Sequence, residues 1–203
     1  MKKTRNIKVS VVIPVYNQEE LVIKALDSIP KRDDIEVIVV NDGSTDNTYK
    51  VLKAYNRLDL KLYNNNSNIG LANTLNVAYD VAKGEYIVNL DSDDYFYTNE
   101  FEKCIEELDG SDLIYYDLKV NSGEVWNLNE ESKNYLCGQV KFYRREFIGD
   151  TRYIKDLRTK EDYWFYQDLM KKNPTEKFTN LVVKHYNFPR KGSLYDLTIR
   201  GLI

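Results

Sequence analysis

Cysteine and histidine are scarce in this chain. Its 203 residues hold two cysteines, Cys104 and Cys137, and one histidine, His185. The cysteines lack metal-ligand spacing and there is no second histidine, so a Cys/His zinc site is excluded. Two isolated thiols are expected to stay reduced in a cytoplasmic protein. Long apolar runs are also missing. The longest, around Val9 to Val15 and Ile35 to Val40, fall far short of the ~20 residues that span a bilayer, so no transmembrane helix is expected. The start Met1-Lys2-Lys3-Thr4-Arg5 is basic, but no apolar signal-peptide core follows it, which leaves a solvated terminus. Both glycine motifs that cradle phosphates, Gly-x-Gly-x-x-Gly and the Walker A loop, are absent. Phosphate would then have to be held by metal and by cationic side chains. The formal net charge is -3, which argues against nucleic acid as a partner. No repeat, low-complexity tract or linker divides the chain, and its length suits a single domain over 1–203.

What the chain does have is alternation. Val9 to Val15 is a β-branched run stopped near Pro14, and Ile35 to Val40 is a second; both predict buried strands. Between them, Leu21, Ala25, Leu26 and Ile29 fall at helical spacing within Gln18 to Ser28. Asn41-Asp42-Gly43-Ser44 is turn chemistry, and Ser44 or Thr45 is expected to cap the next helix. Leu60 to Tyr63 is a weaker strand. Leu71, Leu75, Ala78 and Ala82 form one helix face, closed by Gly84. Tyr86 to Leu90 is a strand that runs into Asp91-Ser92-Asp93-Asp94. Strand and helix in alternation imply a mostly parallel, doubly wound sheet, which binds ligands at the carboxyl ends of its strands. The second half is less regular. Helices are expected over Phe101 to Leu108 and Glu161 to Lys172, and strands over Leu113 to Leu118, Gln139 to Tyr143 and Phe178 to Tyr186.

Four places carry candidate chemistry. Asp91 and Asp93, two residues apart at a strand end, can project carboxylates into one cleft and suit a hard cation, Mg²⁺ or Mn²⁺. The same pattern also serves as turn and cap chemistry. Asp42 at the neighbouring strand end can accept hydrogen bonds from a base N–H or a ribose hydroxyl, or merely cap a helix. Glu161-Asp162 opens a helix rich in aromatics, Tyr163 to Tyr166; a partly buried carboxylate there can be tuned as a general base. The basic stretch His185, Arg190, Lys191 and Ser193 could clamp a diphosphate, while His185 could equally be structural.

Taken together, Val11-Val12-Ile13-Pro14-Val15-Tyr16-Asn17, Val39 to Thr48, Asn68-Ile69-Gly70-Leu71-Ala72, Ala82 to Ile87 and Leu90-Asp91-Ser92-Asp93-Asp94 resemble the family 2 inverting glycosyltransferases of GT-A fold. The resemblance is strong over 7–97 and looser to about residue 193. It implies an α/β, Rossmann-like three-layer sandwich with a mostly parallel central sheet, its first half (7–97) holding a nucleotide sugar and its second (98–203) the acceptor and the catalytic base. It implies that Pro14, Tyr16 and Asn17 line the nucleotide pocket, that Asp42 contacts the base, commonly uracil, and that Asp91, Ser92 and Arg190 contact the donor. Asp93 foremost, with Asp91 and His185, would hold Mn²⁺ or Mg²⁺, and Asp162 would be the catalytic base. The donor would be a UDP-sugar, and the acceptor a glycan, a lipid-linked sugar or another hydroxyl compound at the inner membrane face or in the cytoplasm. Departures stand beside this. Leu75-Asn76 replaces the Arg-Asn of many relatives, Asn41-Asp42 replaces Asp-Asp, and the Gln-x-x-Arg-Trp signature of processive synthases is absent, so single transfer is expected. Longer relatives add modules or membrane helices after the basic loop, and neither is expected from the residues that follow it here. A sugar-phosphate nucleotidyltransferase and a non-catalytic sugar-nucleotide-binding module are the competing readings.

Overall fold

The computed structural model describes residues 6–134, 140–157 and 159–191. Met1 to Arg5, Cys137, Gln139 and Ser193, each named above, lie outside the described residues.

The first strand, β1 (Val9–Val15), is buried along its whole length. It is flanked by β2 (Ile35–Asn41) on one side and β4 (Tyr86–Asn89) on the other, both parallel to it. β3 (Leu60–Asn64) extends the sheet beyond β2. The connections are α1 (Val22–Asp27), α2 (Thr48–Ala54) and α3 (Leu71–Val81). The chain steps outward from β1 to β3 and then returns to the opposite side of β1, so the strand order reverses there. Such a reversal opens a crevice at the carboxyl ends of the strands. Pro14 is tolerated in this central strand because the pairing to β4 ends at Val12↔Asn89 and Leu90 N–H on Val12 O. Its missing N–H would face a place where no partner strand remains.

The second half adds β5 (Tyr95–Phe96), α4 (Thr98–Glu106), β6 (Leu113–Val120), β7 (Val125–Trp126), β8 (Lys141–Arg144), α5 (Arg145–Ile148), α6 (Glu161–Met170) and β9 (Glu176–Tyr186). The order is β3-β2-β1-β4-β8-β6-β9-β5, with β7 on β6. β8, β5 and β7 run against the others, so the sheet is mixed but mostly parallel, as expected. β9 bulges against β6: Tyr115 pairs with Phe178 but Asp117 with Val182, and Asn180 takes a left-handed φ of 56°. Bulges of this kind re-aim side chains beside functional sites.

Local expectations fail where tertiary bonds intervene. α1 begins at Val22 rather than Gln18 because the N–H groups of Gln18 and Glu19 are drawn to Thr48 Oγ1 and Asp46 Oδ2 across the β2–α2 loop. Neither Ser44 nor Thr45 caps α2. Ser44 accepts the Asn17 N–H and donates to Asn41, Thr45 is held by Asn17, and the first turn is met by Asp46, which accepts the Thr48 N–H. Gly84 does not close α3, which ends at Val81. It is needed because a Cβ there would lie 2.5 Å from the Ser10 backbone nitrogen.

Candidate active site

The turns after β1 and β2 are stitched into one wall. Asn17, at φ 52°, accepts the Thr45 N–H through Oδ1 at 2.8 Å and donates its own N–H to Ser44 Oγ at 2.9 Å. A left-handed Asn with a short polar side chain suits such a turn. Tyr16 beside it is exposed and Pro14 buried. Asp42 is buried, and its carboxylate accepts three hydrogen bonds: Oδ1 from Ile69 N–H and Asn65 Nδ2, each at 2.9 Å, and Oδ2 from Gly70 N–H at 3.0 Å. Asp42 therefore fastens the 65–70 loop against the end of β2. Gly43 allows the approach, since it sits at φ 64° and a Cβ would come within 2.6 Å of Ser67 Cα. Asn41 uses both ends of its amide, donating to Asn64 Oδ1 and accepting from Ser44 Oγ. An aspartate here could not make the first bond. Leu75 is buried in the core, so the position where relatives place a cation offers none.

The turn after β4 gathers negative charge. Asp94 is buried; its Oδ1 accepts the Asn187 N–H at 2.8 Å, and its Oδ2 meets only the ammonium of Lys184, at 3.2 Å and outside hydrogen-bond geometry. Lys184 is fully buried on β9. Asp93 Oδ2 accepts from Arg190 Nε at 2.7 Å. Asp91 is half-buried and pushed well above the usual carboxylate range by burial and by its neighbours Asp94 and Asp93, against the pull of Lys184. Ser92 is buried between the two motif aspartates. Among the described residues no group of three or more His, Cys, Asp or Glu side chains is arranged to hold a metal by itself. The turn nevertheless fits a hard cation that shares its shell with phosphate and water. Asp91, Asp93 and Asp94 crowd one turn, where burial and mutual repulsion raise Asp91 and Asp94 despite Lys184; a cation would relieve that repulsion, and Mg²⁺ sites commonly use only one or two carboxylates beside substrate phosphates.

Asp162 joins this cluster from α6. The helix begins after Lys160, at φ 61°, with no side-chain cap. Burial, with Glu161 beside it, pushes the Asp162 carboxyl up to about 6, opposed by the ammonium groups of Lys141 and Lys184. Its charge reaches Asp91 and raises it further. Phe165 and Tyr166 on the same helix are buried, whereas Tyr163 and Trp164 are 39% and 45% exposed and meet edge to face at 5.3 Å. Trp164 is thus a surface side chain, not a core one.

His185 is not brought to the acidic turn as a ligand. Adjacent strand residues point to opposite faces, so while Lys184 faces Asp94, His185 stacks on Tyr95 with ring centroids 4.5 Å apart. Both its nitrogens are engaged, Nδ1 with Tyr97 Oη at 3.2 Å and Nε2 with Asn121 Oδ1 at 2.9 Å. The structure so brings Arg190 onto Asp93 and Asp162 within electrostatic reach of Asp91, sets Asn17 and Asp42 at the ends of the neighbouring strands, and leaves His185 outside in an aromatic stack. Sequence reading missed Lys184; its one signal is a charged residue directly after the apolar Leu181-Val182-Val183.

Residues 10–179 match the model of glycosyl transferase family 2. The chain belongs to that family. An uncharacterized glycosyltransferase of Haemophilus influenzae is 27% identical, over 87% of this chain and 64% of that protein. The poly(ribitol-phosphate) β-N-acetylglucosaminyltransferase TarS of Staphylococcus aureus is 31% identical, over 78% of this chain and 31% of its own length. This family 2 chain therefore spans less than two thirds of either relative. The crystal structure of S. aureus TarS 1–349 in complex with UDP-GlcNAc superposes with a TM-score of 0.81, at 25% identity, covering 93% of this chain and 61% of the other. The likeness establishes the GT-A architecture for the family 2 chain.

Proposed function

We propose that this chain moves one sugar from a UDP-linked donor to an acceptor hydroxyl, with inversion at the anomeric carbon and with Mn²⁺ or Mg²⁺, in the building of a glycan or glycoconjugate. The observation that carries the reading is an elevated, half-buried carboxyl, Asp162, within electrostatic reach of Asp91, in the same acidic turn whose Asp93 accepts from the Arg190 guanidinium. TarS, seen with UDP-GlcNAc, supports a nucleotide-sugar donor. The nucleoside lies along the wall of Pro14, Tyr16, Asn17 and the Asp42 turn. Asp162 takes the proton of the acceptor hydroxyl as its oxygen attacks the anomeric carbon, and the bond to the diphosphate breaks on the opposite side. General-base help of this kind is worth on the order of 10²–10⁴ in rate. Arg190 donates to the departing diphosphate. A bound cation would be held by Asp91 and Asp93 and would supply charge neutralisation to the leaving group.

The test is a thermal-shift screen of nucleoside diphosphates and sugar nucleotides with and without Mn²⁺. A ligand at 100 times its Kd stabilises by about 2.7 kcal/mol. A Mn²⁺-dependent shift with a uridine nucleotide, lost in Asp93→Ala, is the expected result. A shift of equal size in Asp93→Ala would overturn the metal assignment, and a shift with another nucleotide alone would overturn UDP.

A further inference from the structure

Behind Asp162 lies a closed polar triangle that the proposed chemistry does not use. Asn89, the last residue of β4, donates through Nδ2 to Tyr153 Oη at 3.0 Å and accepts from Tyr79 Oη at 3.2 Å. The two hydroxyls face each other at 3.4 Å. All three side chains are buried. Asn76 on α3 then grips the backbone of Tyr153 from both sides, accepting its N–H through Oδ1 and donating through Nδ2 to its carbonyl, each at 2.9 Å. The Tyr153 ring stacks on Phe165 at 4.1 Å and 12°, and Phe165 lies three residues past Asp162, on the same helix face.

These contacts join the two parts of the site that must be spaced correctly. Asn89 precedes Asp91 by two residues, so the triangle is anchored at the root of the acidic turn. Tyr153 and Phe165 carry that anchor to α6. The start of α6 has no side-chain cap of its own, it follows a left-handed Lys160, and the preceding Asp156 is also left-handed, at φ 61°. Burial above all raises both hydroxyls, and the charge of Asp162 reaches each of them and raises it further. We infer that Tyr153, held by Asn89, Tyr79 and Asn76, is the positioning residue that sets Asp162 at its working distance from the acidic turn.

The inference rests on Asp162 being the base proposed above, and the experiment separates the two. Tyr153→Phe removes the hydroxyl but keeps the ring on Phe165, and Asn89→Leu removes the amide that joins the hydroxyls. Tyr86→Phe is the control, because it loses a partly buried hydroxyl bonded to Ser111 O and Gly110 N–H at the other end of β4. Asp162→Asn is measured alongside. The readouts are melting temperature, UDP affinity with Mn²⁺, release of UDP from UDP-GlcNAc, and amide exchange across α6. Tyr153→Phe and Asn89→Leu are expected to slow turnover by roughly 10- to 100-fold, since a misplacement of about 1 Å costs on that scale. UDP affinity should hold, and exchange over 161–166 should quicken. Tyr86→Phe should do none of this at a similar melting temperature. Unchanged α6 exchange in Tyr153→Phe overturns the positioning role, as does a turnover loss that Tyr86→Phe matches. Wild-type turnover in Asp162→Asn overturns the base assignment instead, and α6 exchange still decides the role of Tyr153.

Discussion

Asp162 is held in an environment that favours its uncharged form, yet a general base must be ionised. With the carboxyl pushed up to about 6 by burial and Glu161, turnover should rise with pH through about 6 and level off above it, read from initial rates across the range. The sign for stability is opposite. A carboxyl raised in the fold stabilises it fully below the unfolded value near 4, and that contribution is lost as pH rises through about 6. At pH 8 the wild type carries a poorly solvated charge, so Asp162→Asn should melt higher than wild type there while its turnover falls by on the order of 10²–10⁴. The stability gain should shrink toward pH 4, and melting curves at both pH values check it. The Glu161-Asp162 pair stood out in the sequence because it opens a helix before aromatic residues, while the choice of Asp162 as base came from the resemblance. The saturated carboxylate of Asp42 was not legible, because its three donors come from a loop more than twenty residues away.

Among the elements, β1, β2 and β4 could be read directly, since near-continuous β-branched and apolar runs have few other uses. β5 and β7, of two residues each, are too short for any periodicity and exist only because β9 and β6 pair with them. The starts of α1 and α2 were misplaced because Asn17, Asp46 and Thr48 exchange hydrogen bonds between loops instead of within helices. The same β2–α2 turn passes close over Ser67 at Gly43. Gly43→Ala should therefore destabilise the chain by roughly 1–2 kcal/mol from its φ alone, and by more through overlap with Ser67. It should also weaken nucleotide binding, because the Asp42 turn and the 65–70 loop would part. Urea titration and UDP thermal shift measure the two effects.

Across the whole molecule, the two halves are joined at the acidic turn by a buried ion pair, Asp94 with Lys184, and by Arg190 on Asp93. Breaking a buried pair from one side leaves an uncompensated charge and costs about 3–5 kcal/mol. Lys184→Met should lower the urea midpoint accordingly, whereas the double change Asp94→Leu with Lys184→Met should restore much of it. A double variant no more stable than the single one would show that the loss in Lys184→Met does not come from an uncompensated Asp94 charge. No helix among the described residues is long and apolar enough to cross a membrane, in keeping with the short apolar runs of the sequence. By itself the sequence determined the parallel first half, the acidic turn and the family, because each depends on local pattern: apolar runs of strand length, turn residues between them, and carboxylates at strand ends. Only the tertiary structure decided which residues of β9 serve the site. The register of β9 on β6 shifts between Phe178 and Val182 and again, by a single residue, between Val182 and Lys184, and these shifts together set the face each later side chain takes, with Lys184 inward and His185 in an aromatic stack. A one-residue shift in strand pairing reverses every side chain beyond it, and pairing is fixed by the partner strand rather than by the segment's own composition.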